Sequence, residues 1–74
     1  MSSRVAWFVC RYRNITDDIA VSLVDGIEVD EATVMKRGRM LAARRFKRLH
    51  ELHPCVKVDV EFQMVMPAAA YHAA

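Results

Sequence analysis

Cysteine is scarce: Cys10 and Cys55 are the only two in 74 residues. That is too few for the disulfide framework that staples small secreted domains. Glycine also occurs only twice, which excludes a glycine-rich phosphate loop. Proline occurs twice, at Pro54 and Pro67, so long uninterrupted elements are allowed between and before them. No apolar stretch approaches the roughly 18–20 residues of a membrane helix. The run from Val5 to Cys10 is short and closed by Arg11 and Arg13, so no signal peptide is expected. A cytoplasmic protein follows as the expectation. In that setting Asn14-Ile15-Thr16 carries no glycan, and Cys10 and Cys55 stay reduced.

What is present is apolar and unevenly charged. The hydrophobic fraction is 54%, above the usual 45–50% or so of soluble domains. A chain of this length buries roughly 60% of its unfolded surface, so the excess points to an oligomer or a partner. The net charge is only +2, yet seven of the eleven basic residues fall between Lys36 and Arg48, and six of the nine acids between Asp17 and Glu31. A global argument for nucleic acid is therefore weak, whereas a local one stands.

One domain, residues 1–74, is expected, with an ordered core over about 4–66 and a C-terminal tail over 67–74. Val5 to Arg13 is rich in aromatic and β-branched residues and predicts a strand. Val5, Trp7 and Val9 point one way, and Ala6, Phe8, Cys10 and Tyr12 the other. A polar turn over Asn14–Asp18 leads to a second strand over Ile19–Val24. Asp25-Gly26 reads as a turn and Ile27–Val29 as a strand stub. Asp30 sits at a helix N-cap position, Glu31 complements the dipole, and the helix should run to about Leu52, short of Pro54. Val34, Gly38, Leu41, Ala42, Leu49 and Leu52 share its core face, with Met35 and Phe46 at the edge. Gly38 costs roughly 1 kcal/mol of helix propensity, tolerable if Trp7 or Phe8 packs on bare backbone there. From Cys55 to Met66, Val56, Val58, Val60, Phe62, Met64 and Met66 alternate with Lys57, Asp59, Glu61 and Gln63. At about 3.3 Å per residue this strand would reach about 40 Å and outrun its neighbours. The fold class is α+β, a small ββαβ domain. Its three-stranded, mainly antiparallel sheet has the order 2-1-3, with one helix on one face and the other face uncovered.

Few residue groups carry chemistry. His50, His53, Cys55 and Cys10 could supply four zinc ligands, but cations near a helix C-terminus are favourable without a metal. No metal and no cofactor are expected. Ser22, the only serine away from the N-terminus, is not set in a nucleophile elbow, and the chain is not expected to be an enzyme. The functional accent lies on the helix, where Lys36, Arg37, Arg44, Lys47 and Arg48 oppose the core face. They make an anion-binding face, set against a merely solvated helix side. Trp7 of the first strand joins them as a candidate partner-binding residue. Aromatic interleaving on the helix, a helix-turn-helix pair and an RNP-type motif are all missing.

The segments AWFVCRYRN (6–14), IAVSLVDG (19–26), DEATVMKRGRMLAARRF (30–46) and VKVDVEFQMV (56–65), in that order, span nearly the whole chain. Together the pattern resembles small phage-encoded inhibitors of the anti-CRISPR type, built as a short sheet with one helix. The resemblance implies steric blocking of a host protein complex and assigns no numbered binding residue. The basic helix departs from inhibitors that imitate DNA with acidic surfaces. A protein partner is thus expected for an inhibitor or adaptor, with nucleic acid on the basic helix as the alternative. A homodimer is expected from the uncovered face and the overlong last strand.

Overall fold

The aromatic, β-branched run at the start of the chain becomes the middle strand of a three-stranded antiparallel sheet. In the computed structural model, which describes residues 3–23 and 30–73, β1 spans Arg4–Tyr12, β2 Ile15–Leu23 and β3 Asp59–Pro67. Their order is β2-β1-β3, with both pairings antiparallel. The fold is therefore the small α+β domain that the patterning predicts. The expected turn at Asp25-Gly26 and strand stub at Ile27–Val29 lie outside the described residues.

The first hairpin is tighter than expected. Tyr12 pairs with Ile15, leaving only Arg13 and Asn14 in the loop. Arg13 takes a left-handed φ of 57°, the kind of backbone whose twist matches two-residue hairpins. The polar stretch before Ile19 is thus strand and not turn. It is tolerated because β2 is an edge strand with polar positions on one face.

Helix α1 spans Glu31–Arg45 and α2 spans Lys47–Leu52, so the single expected helix is bent at Phe46. Phe46 N–H still donates to Ala42 O and His50 N–H to Phe46 O, which makes this a bend within a continuing ladder. The cause is the core. Phe46 is buried and stacks on Tyr12 with ring centroids 5.6 Å apart. The Tyr12 hydroxyl donates to Leu49 O at 2.9 Å and to His53 O at 3.1 Å, one proton shared between two carbonyls of α2 and its end. Leu52, expected on the core face, is instead 72% exposed at the end of α2. Asp30 occupies the N-cap position but makes no side-chain cap hydrogen bond.

Ala6, Phe8, Cys10 and Tyr12 of β1 meet Val34, Ala42 and Phe46 of the helices and Ile19, Val21 and Leu23 of β2 to form the core. Gly38 shows the fit. A Cβ there would lie 2.7–3.0 Å from the Phe8 ring, closer than side-chain packing allows, so bare backbone is what the ring needs.

The last strand differs from expectation in two ways. It has nine residues, as do β1 and β2, so it does not outrun them. Cys55 and Val56 lie in a turn and bend, where Val56 N–H donates to His53 O. Val56, Val58 and Val60 pack on the core, and Phe62 meets Phe8 edge-on at 5.5 Å, while Lys57, Asp59 and Glu61 stay exposed. Then the register slips. Phe8 pairs with Phe62 but Trp7 with Met64, which leaves Gln63 as a bulge and moves Met64 and Met66 to the opposite face.

The segment after Pro67, expected as a tail, is a short helix, α3, over Ala68–Ala73. Ala68 N–H donates to Ser3 O at 2.9 Å, and α3 packs against β1 and β3. Val5 points away from α1 yet is only 4% exposed, so α3 covers part of the face expected to be bare.

Candidate functional site

The cations of the helix divide according to what surrounds them. Arg45 donates through Nε to Asp17 Oδ2, and this contact holds the Asp17 carboxyl below the ordinary carboxylate range. Among the described residues none of the other six basic side chains from Lys36 to Arg48 has an ion-pair partner. All six are exposed.

Arg39, Ala43 and Lys47 recur at four-residue spacing and so share a flank of the helices. That flank faces the approach to β3. Together with Arg44, His50, Glu51, Lys57, Val58 and Val60 they line a groove of about 650 Å³. Its floor is aliphatic, from Ala43, Val58 and Val60. Its rim carries the guanidinium groups of Arg39 and Arg44 and the ammonium groups of Lys47 and Lys57, against one carboxylate, Glu51. The bend at Phe46 sets the direction of α2 and therefore the position of His50 and Glu51.

The structure brings Arg44 and Lys47 of the sequence-derived set into this groove and leaves Lys36, Arg37 and Arg48 exposed outside it. Trp7 is elsewhere, on the sheet face turned away from α1. It is half-buried, and its Nε1 is buried without a hydrogen-bond partner among the described residues. Arg39 and Lys57 are the groove cations that the sequence-derived set left out. Arg39 sits in the same basic run and was visible as charge. Lys57 reads as the outward position of a strand, and only the tertiary fold carries it to the helix flank.

A shallower hollow lies at the β2 edge, lined by Asp18, Ile19, Ala20, Leu41, Arg44, Arg45 and Tyr71. Burial, followed by the nearby carboxylates of Asp18 and Asp17, raises the Tyr71 phenol above its usual range. Cys10 is buried, with Sγ donating to Asp17 O at 3.3 Å, and burial pushes its thiol up. Cys55 is a free, exposed thiol. Among the described residues no three His, Cys, Asp or Glu side chains converge as metal ligands. No described helix is long and apolar enough to cross a membrane.

Fold and groove together define a small α+β domain with a cationic cleft beside an open-edged antiparallel sheet. No protein-family model, curated protein or solved structure matches the chain.

Proposed function

We propose that this protein is a small non-enzymatic binding module, an inhibitor or adaptor that seats an acidic segment of a partner protein in the basic groove. The supporting observation is the pairing of a cationic rim with an aliphatic floor. Arg39, Arg44, Lys47 and Lys57 suit carboxylates, and Ala43, Val58 and Val60 suit the apolar side chains between them. A phosphate backbone would use the rim and leave the floor empty, and no Phe, Tyr or Trp is among the residues that line the groove. The free thiols suit a reducing, cytoplasmic setting. Blocking of a larger protein complex, as the likeness to small phage-encoded inhibitors implies, is the mode of action proposed.

The test is a titration with two labelled probes, an alternating Glu/Leu peptide and a duplex oligonucleotide, at low and high salt. The peptide should bind the wild type and lose about tenfold or more with Arg44→Glu plus Lys47→Glu. DNA should bind more weakly and fall away steeply with log salt. Tighter binding of DNA than of peptide, or peptide binding indifferent to the charge reversals, would overturn the proposal.

A further inference from the structure

The two outer strands of the sheet have unlike edges. β2 places Thr16, Asp18, Ala20 and Ser22 on the face away from α1, and its Asp17 is tied to Arg45 on the other. That is the polar pattern of a solvent-facing edge. β3 differs. Beyond the bulge at Gln63, Val65 shares the α1 face with Phe62, while Met64 and Met66 take the opposite face. Phe62, Met64 and Val65 are 43%, 49% and 45% exposed. A strand apolar on both faces has the pattern of an interior strand. Asp59, Glu61 and the bulge at Gln63 guard the first part of β3, but beyond the bulge Met64–Met66 carries no charge and the one proline is the final residue.

We propose that a second copy of this chain pairs antiparallel along β3, carrying the sheet through both copies across a two-fold axis. Self-complementarity selects this occupant. With Phe62 opposite Val65 of the second copy, Gln63 falls opposite Met64 and Glu61 opposite Met66. Every side chain outside the bulge then keeps its own face, and Asp59 and Glu61 never meet their equivalents. The contact is isologous and closes at two copies. An axis perpendicular to the sheet also sets both basic grooves on one face, an extension that rests on the proposed function, whereas the pairing does not.

Sedimentation equilibrium of the full chain across the micromolar range tests the pairing. The expected mass is twice 8.5 kDa. Met64→Lys and Val65→Lys, both at half-exposed positions, should each halve that mass while circular dichroism and the thermal midpoint stay near wild type. Ile15→Lys, exposed on β2, should leave the mass doubled, as should the Arg44→Glu plus Lys47→Glu variant that reverses two of the four groove cations. Failure of groove binding and failure of pairing are thus read separately. A wild-type mass of 8.5 kDa throughout, a dimer indifferent to both lysines, or one dissolved by Ile15→Lys would each refute pairing through β3.

Discussion

The two faces of β1 carry similar apolar content but are sealed to different degrees. Ala6, Phe8, Cys10 and Tyr12, under α1 and α2, are buried almost completely. Val5, Trp7 and Val9, on the other face, have among the described residues only the six of α3 over them, with Val5 buried and Trp7 and Val9 half covered. Helix length accounts for the difference. A short alanine-rich helix is marginal by itself and persists only through what it packs against. Trp7 Nε1 is also buried without a partner among the described residues, an arrangement that costs about 1–3 kcal/mol. One face therefore holds most of the stability, and the other is the soft side of the domain.

Phe8→Ala attacks the sealed face and should have the largest effect, about 3–5 kcal/mol, because it empties the space under Gly38 and beside Phe62. Chemical denaturation measures it, and a loss under 1 kcal/mol or so would mean that the ring is not central. Ending the chain at Pro67 attacks the soft face. It should cost about 1–2 kcal/mol through exposure of Val5, with a change in Trp7 fluorescence. An unaltered spectrum would show that α3 does not cover Trp7. Gly38→Ala should destabilise by about 1 kcal/mol, the gain in helix propensity being outweighed by the clash with a fully buried ring. A more stable variant would contradict that fit.

The smallest effect concerns the β2 edge. Arg45 holds the Asp17 carboxyl low, so their contact supports the fold above the unfolded carboxylate's pKa. That support is lost as pH falls through the lower, folded value. Asp17→Asn should cost under about 1 kcal/mol at neutral pH, since both side chains are partly exposed. The thermal midpoints of variant and wild type should converge in acid, and a gap that widens there would remove Arg45 as the cause.

Sequence periodicity was enough to read the strand order and to expect a bulky β1 ring on Gly38, but it left open which face of β1 lies under the helix, since Trp7 and Phe8, on opposite faces, were equal candidates. Each depends on local pattern combined with short connections. The bulge at Gln63 was legible only as a flaw: Val65 is apolar where the alternation calls for a polar residue. That single position breaks the parity that would otherwise carry Met64 and Met66 under the helix. The bend at Phe46 left no local trace, because the bonds from Tyr12 that produce it come from a residue far away in sequence. The groove was half legible for the same reason. Its helical charges stand in the sequence as a cluster, but the contribution of Lys57 depends on how the last strand returns.

Because β1 precedes the other two strands and is the centre of the sheet, one of its edges must wait until β3 has been made. β2 follows at once through Arg13 and Asn14, but the other edge stays open until the chain has been made past Pro67. At about 5–20 residues per second that interval lasts seconds, far longer than the microseconds a hairpin needs to form. Through that time the nascent hairpin presents Phe8, Trp7 and an unpaired strand edge to any neighbouring chain. Crowded expression should therefore favour aggregates seeded by the N-terminal hairpin, and slower initiation or lower temperature should raise the yield of folded protein.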